Sequence, residues 1–457
     1  MRTGSPWAVV AAIGTMVWSL AWAQISSAQD QAAPATAQSP AVASASSTAP
    51  PADIDFMAIP SHVDPTYAWT AGPARPAGTA TIHAAKMVSQ QWHGVAWTHD
   101  ITLEIPEHSV APDTAVIYLG GMNSGQTLDK AVAATGVACA TVGGILGPLP
   151  ADLAKPGADI ISVSLAQYAA TSDTTWIVLY PMTIAAIRSM DAIEAMTTKE
   201  GTPIHKFILT GWSKHGNIAW LAAAADPRVV GLIPLGSEAL NIPQQMKSPA
   251  ATGVMGDKQQ LLKLPGIQKV LVLCDPYVYR DRLKMPILDV IGTKDHVNIT
   301  GAMSCYWDGL PGEKYALVMA NVGHNVMPDA AKSTYAFIRA VAAGRKLPTV
   351  VGKYSESAGK VTLHVTSSQA PNVAQAWTTY GEWSGLQGAN WTSQALSGPG
   401  GAVVARAKDE PYVFDAEIDL PAKGVLGLFA ELQFEDQGLA YSLTTPMWVG
   451  PGEKGNH

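Results

Sequence analysis

Three residues, far apart in the 457-residue chain, have the types that acyl transfer needs. Ser213 stands in Gly211-Trp212-Ser213-Lys214-His215-Gly216, directly after the apolar run Phe207-Ile208-Leu209 and before the helix-compatible stretch 217–225. Strand, sharp turn, helix is the setting that lifts a serine hydroxyl above a sheet edge, and a helix start favours developing negative charge. Taken alone, the string is equally compatible with a strand–helix turn in which Ser213 caps the helix. Asp295 follows a second apolar run, 287–291, in Gly292-Thr293-Lys294-Asp295-His296, and His324 follows a third, 316–319, in Asn321-Val322-Gly323-His324-Asn325. An acid in a turn and a histidine capping a loop are common things. Serine, acid and histidine in that order, each in the loop after a strand, are not, and such loops can meet above one sheet edge. His324 would then take the proton of Ser213, while Asp295 orients the imidazole and stabilises its charged form. The N–H groups that hold the oxyanion are expected from Lys214 and from Gly121 or Met122, in the loop Leu119-Gly120-Gly121-Met122-Asn123-Ser124-Gly125.

Other residues keep two readings open. His215, two places after the serine, either faces substrate or solvates a helix start. Tyr277, Tyr279, Arg280 and Arg282 either hold a substrate or anchor the segment that carries them. Asp295-His296 invites a metal, but HExxH is absent, and His83, His93 and His99 lie on β segments without ligand spacing. No metal or organic cofactor is implied. Cys139, Cys274 and Cys305 lack CxxC spacing and read as buried thiols, with oxidation of one pair left open.

The elements that must position these residues alternate. Continuous apolar runs at 115–119, 137–142, 207–209, 229–235, 287–291 and 316–319 read as strands buried on both faces, and 181–196 and 214–225 as helices. That is an α/β domain with a mostly parallel sheet, entered through β structure at 79–106, where Trp92 and Trp97 suit a pleated surface. Residues 236–285 lie between two of these strands and are the natural lid or pocket insertion. From 347 to 457 the texture changes to short alternating runs, such as 361–365, 412–418 and 425–434, separated by Gly/Pro-rich turns. A small β-sandwich-like domain is expected there.

Composition bounds the function. The chain is 47% hydrophobic and 14% charged, with net charge −7. It can bury a large core, and a mildly acidic balance with no basic block argues against a nucleic-acid binder. Arg2, an uncharged run from Trp7 and the close Ala21-Trp22-Ala23 fit a secretory signal over 1–23, so an exported, periplasmic or secreted protein is expected. Residues 24–53 are Ala, Ser, Thr, Pro and Gln almost throughout and read as a flexible tether holding the folded part away from a membrane, with cell-envelope association left open.

The chain resembles the PhoPQ-activated pathogenicity-related proteins, exported bacterial members of the α/β-hydrolase superfamily. The blocks that carry the resemblance are Pro181-Met182-Thr183 with Arg188-Ser189-Met190-Asp191, Gly211 to Gly216, Asp226-Pro227-Arg228-Val229, and Asp275-Pro276-Tyr277-Val278-Tyr279-Arg280-Asp281-Arg282. Further blocks are Gly292 to Asp295, Asp308-Gly309-Leu310-Pro311-Gly312-Glu313-Lys314-Tyr315, and Asn321 to Asn325. Together they run over roughly 53–449. The resemblance implies an α/β-hydrolase fold, a Ser213–Asp295–His324 triad within 54–346, and a helix at 158–170. The chain departs from the family in carrying His215 where Arg is usual, and in lacking an acidic-aromatic-basic run around Trp383-Ser384-Gly385-Leu386. The expectation is therefore a serine hydrolase acting on an ester or amide of a small molecule or peptide. Gly-x-Ser-Lys is similar to certain secreted serine aminopeptidases, which makes a peptidase the alternative; a non-catalytic peptide or envelope binder is the competing class.

Overall fold

Strand character changes along the chain with the number of faces that must be buried. The computed structural model describes residues 53–122, 125–251, 266–397 and 410–451; the expected signal segment and the tether up to residue 52 lie outside them. At the N-terminal edge, β1 (Ala68–Ala71), β2 (Arg75–Ala77), β3 (Ala80–Trp92) and β4 (Val95–Pro106) pair antiparallel. β3 and β4 largely alternate between buried and open positions, as one-sided strands must. The centre is parallel: β5 (Thr114–Leu119), β6 (Ala138–Val142), β7 (Lys206–Trp212), β8 (Val229–Leu235), β9 (Ile287–Gly292) and β10 (Lys314–Met319). Every residue of β5 and β9 is buried, matching their unbroken apolar sequences. The spatial order is β1-β3-β4-β6-β5-β7-β8-β9-β10, with one crossover at β6-β5. This is the α/β-hydrolase arrangement.

Helices cover both faces: α1 (Leu128–Thr135), α2 (Ile160–Thr171), α3 (Leu179–Lys199), α4 (Lys214–Ala225), the short α5 (Ile242–Gln245), α6 (Ile267–Cys274) and α7 (Met327–Ala342). α4 is buried from Gly216 to Ala225, and its run of alanines lets it lie close to the sheet. The helices at 128–135 and 327–342 were not anticipated from sequence. None of the helices among the described residues is long and apolar enough to cross a membrane.

The C-terminal region forms two antiparallel sheets. β11 (Val350–Ser357), β12 (Lys360–Ser367) and, later in the chain, Tyr412–Asp419 make one. The strand Tyr412–Asp419 of that sheet is β15; the other sheet consists of β13 (Val373–Gly381), β14 (Thr392–Ala395), β16 (Val425–Asp436), β17 (Leu439–Thr444) and β18 (Trp448–Pro451). Val361, Leu363 and Val365 of one sheet share a core with Ala376, Leu428, Ala430 and Leu432 of the other. This packing is the expected sandwich. The expected separation at residue 347 is not what the sheet shows: β17 pairs with β10 through Ala316 and Thr444, and Val318 N–H donates to Thr444 Oγ1 (2.9 Å). The sheet that holds β17 is thus a continuation of the central sheet, which counts fifteen strands among the described residues, while β11, β12 and β15 form a separate sheet.

Candidate active site

β7 ends in a conformation that few side chains tolerate. Ser213 takes φ +56, ψ −121, before α4 begins at Lys214. Two glycines make the turn possible. A Cβ on Gly211 would lie 2.5 Å from the His215 carbonyl carbon, and one on Gly216 would lie 2.6 Å from Ser237 Cβ. The glycines flanking Ser213 are therefore a steric requirement of strand-to-helix packing. The Ser213 N–H donates to Leu235 O at the end of β8 (2.8 Å), which ties the turn to its neighbour.

The loops after β9 and β10 bring two side chains to this serine. His324 Nε2 lies 2.9 Å from Ser213 Oγ, and His324 Nδ1 lies 2.8 Å from Asp295 Oδ2. All three residues are buried. Asp295 is well supplied with donors. Val297 N–H (2.8 Å) and Asn298 N–H (3.1 Å) donate to Oδ1, and Asn298 Nδ2 donates to Oδ2 (2.8 Å). Burial alone would raise this carboxyl, but the His324 imidazole, the Asn298 amide and the Val297 N–H outweigh it and hold it below the ordinary range. An ionised carboxylate can only accept, so in the neutral imidazole Nδ1 carries the proton and Nε2 offers its lone pair to the Ser213 hydroxyl. Trp212 Nε1–H donates to His324 O (2.8 Å) and its ring lies 5.1 Å from the imidazole, fixing the loop from the β7 side.

Further back lie two more buried acids. The Tyr306 hydroxyl is 2.7 Å from Asp289 Oδ2 and 3.4 Å from Glu238 Oε1. Burial pushes Asp289 up to about 7, and burial together with the charges of Asp289 and Asp295 pushes Glu238 well above the carboxylate range.

The loop after β5 faces the helix start. Gly120 has φ +78, and a Cβ there would run into the His215 imidazole. Burial, and then the charge of Lys214, lower that imidazole to about 3 against a Trp212 backbone acceptor, so it is neutral. The Gly121 N–H donates to Tyr118 O (3.3 Å), and Lys214 is the first residue of α4.

A small, largely apolar cleft opens at Ser213, with Ile242, Val270, Leu271, Val297 and Ile299 among its walls. Asn217 also lines it, and its buried Oδ1 has no hydrogen-bond partner among the described residues. Parts of the 236–285 insertion thus form the pocket. The residues expected as substrate contacts do not line it. His215 supports Gly120. Arg280 stacks on Tyr277 (4.6 Å) and donates to its carbonyl (3.1 Å), and the Tyr279 hydroxyl donates to Leu273 O (2.9 Å). Arg282 likewise donates to Ala224 O (2.7 Å). Tyr279 and Arg282 thus tie a 3₁₀ segment, Pro276–Arg282, to the neighbouring helices, and Arg280 is held against Tyr277 within it.

The model of one protein family, described as PhoPQ-activated pathogenicity-related protein, matches residues 59–384. The chain belongs to this family. It is similar to autocrine proliferation repressor protein A of Dictyostelium discoideum, 26% identical over 371 residues that cover 72% of this chain and 74% of that protein. Among solved structures it is similar to acetyl xylan esterase 1 from Thermoanaerobacterium sp. JW/SL YS485, at 14% identity over 64% of this chain and 95% of that one (TM-score 0.46). It is also similar to the glucuronoyl esterase from Solibacter usitatus, at 13% identity over 63% and 91% (TM-score 0.40). No residue role carries across at such distances. In this family member Asn298 and Trp212 were not foreseen as supports of the site. Asn298 had a readable signal, because an Asp followed closely by Val297 and Asn298 amides is an Asx-turn pattern.

Among the described residues no group of three or more His, Cys, Asp or Glu side chains is arranged to hold a metal ion. Cys139 and Cys274 are buried and Cys305 half-buried, and all three are free thiols; burial pushes Cys139 up to about 12.

Proposed function

We propose that the protein is an exported serine hydrolase that cleaves an ester or amide by acyl transfer to Ser213. The observation that carries the proposal is the unbroken line from Ser213 Oγ to His324 (2.9 Å) and from His324 to Asp295 (2.8 Å) at a strained strand-to-helix turn. In the first half-reaction Ser213 Oγ attacks the substrate carbonyl carbon while its proton passes to His324 Nε2. Asp295 stabilises the imidazolium, and the amides of Lys214 and Met122 hold the oxyanion. Collapse of the tetrahedral species breaks the bond to the leaving group, which takes the proton from Nε2. Water, deprotonated by His324, then attacks the acyl-enzyme, releases the acid and restores Ser213. The apolar walls of the cleft suit an apolar group next to the scissile bond, and Asn217 Oδ1 offers one acceptor for a substrate donor. Export rests on the basic start and the uncharged run that closes at Ala21-Trp22-Ala23.

An alkyl fluorophosphonate tests the reading. Wild-type protein should be modified at Ser213, Ser213→Ala should not be modified, and an adduct mapped to another residue would remove the assignment. A peptide- or envelope-binding protein on the same fold would give no adduct.

A further inference from the structure

The loop that joins β13 to β14 in the C-terminal region reaches both loops that carry the partners of Ser213. Asn321, three residues before His324, donates from Nδ2 to Trp391 O (2.9 Å) and accepts at Oδ1 from Trp391 N–H (2.9 Å). Lys294, next to Asp295, donates from Nζ to Asn390 Oδ1 (2.6 Å). The two loops are also tied to each other. Asn321 N–H donates to Thr293 Oγ1 (2.8 Å), Thr293 N–H to Met319 O (3.0 Å), and Lys294 N–H to Val322 O (2.8 Å).

The far side of this tie is rigid. Trp391 is 3% exposed, its ring lies 5.2 Å from Phe429, and Gly427 of β16 has no room for a Cβ beneath it. Thr379 Oγ1 of β13 donates to Asn390 O (3.0 Å). Asn321 itself sits at φ +63, a conformation in which Asn is favoured over most residues, and its amide is held by both bonds to the Trp391 backbone. In the same loop Trp383 packs on Met246, Ala250, Ala251 and Ile299, the last of these a wall of the cleft.

We infer that residues 382–391 of the C-terminal region are a positioning element of the active site, holding the acid loop through Asn390 and the histidine loop through Trp391. The inference rests on the hydrolase reading above. Through these bonds the β region sets the distance between His324 and Ser213 from outside the hydrolase domain. Displacements of about 1 Å in such support cost reaction rate by up to about 100-fold without touching the pocket that binds substrate.

The test uses the full chain and an alkyl fluorophosphonate, read as a maximal labelling rate and a separate half-saturation concentration. Asn321→Gly keeps the backbone conformation and removes both bonds to Trp391. It should slow maximal labelling by roughly 10- to 100-fold while the half-saturation concentration stays within about twofold. Asn390→Ala changes an exposed residue and leaves the fold undisturbed. It should slow labelling by about threefold with an unchanged melting temperature, so the inference stays open to refutation even if the glycine variant folds poorly. If both variants label at the wild-type rate, or if only their melting temperatures fall, the loop is structural and the inference is overturned. If wild-type protein does not label at Ser213 at all, the hydrolase reading itself has failed and this inference falls with it.

Discussion

Asp289 and Asp295 leave the same strand six positions apart, and both are buried, but their surroundings push them in opposite directions. Asp289, inside β9, has one good donor, the Tyr306 hydroxyl, and its Oδ1 has no partner among the described residues. Burial wins, and the group rises to about 7. Asp295, just past the end of β9, accepts from His324, from the Asn298 side chain and from two backbone amides, and it falls below the ordinary value. Between these two carboxyls burial does not make the difference; the imidazole of His324 and the further donors aimed at Asp295 do. A strand interior spends its backbone amides on the ladder, whereas the loop at its end has amides to turn toward a side chain.

The comparison can be broken most severely at Asp295. Asp295→Asn should leave the fold intact and lower phosphonate labelling by about 10⁴-fold, because the amide favours the wrong imidazole tautomer. Asp289→Asn should leave labelling within a few-fold. Equal losses in the two variants would mean that the donor count does not separate their roles.

The next effect is on stability and carries a sign. Folded Asp289 keeps its proton up to about pH 7, while an unfolded aspartate releases it near about 4. Between those values the folded state binds more protons, so the stability this group contributes is full at acid pH and falls as the pH rises. Asp295 has the opposite sign: its contribution is present above the ordinary aspartate value and is lost as the pH falls through its lowered one. Urea unfolding should show Asp289→Asn gaining on wild type as the pH climbs from about 4 to about 7, by on the order of 2 kcal/mol. A gain that does not change with pH would show that Asp289 is not the group taking up the proton.

The smallest expected effect sharpens the line between the cleft and the braced segment behind it. Tyr279→Phe removes the hydroxyl bond to Leu273 O and should cost about 1 kcal/mol of stability, with the half-saturation concentration for the phosphonate unchanged. A clear change in that concentration would return Tyr279 to the substrate site.

Much of this arrangement was legible in the sequence because it is local. Apolar runs ending at Gly120, Gly211 and Gly292 mark strand ends, and the residues just beyond them are the ones a sheet edge brings together. The order Ser213, Asp295, His324 is read from those ends alone. What was missed is either long-range or ambiguous in type. The Asn321–Trp391 pair joins residues seventy positions apart, and neither neighbourhood hints at the other. Tyr277, Tyr279 and Arg280 have the chemistry of a binding site, and only their backbone partners reveal that the same chemistry is used to hold a segment down. The helix at 327–342 shows apolar spacing at Met327, Ala330, Phe337 and Ile338, but its start is hidden by the glycine- and asparagine-rich loop around His324.

The seam between β10 and β17 bears on how this chain tolerates change. A parallel sheet that stops at β10 would leave a row of amides and carbonyls open to any passing strand, the usual route to self-association. Here Thr444 sits on that border through Ala316 and the Val318 N–H, and Ser333 of α7 is bonded to Ser442 on both its N–H and its carbonyl (3.1 and 2.9 Å). A chain shortened to the hydrolase domain would expose that border and lose its solubility.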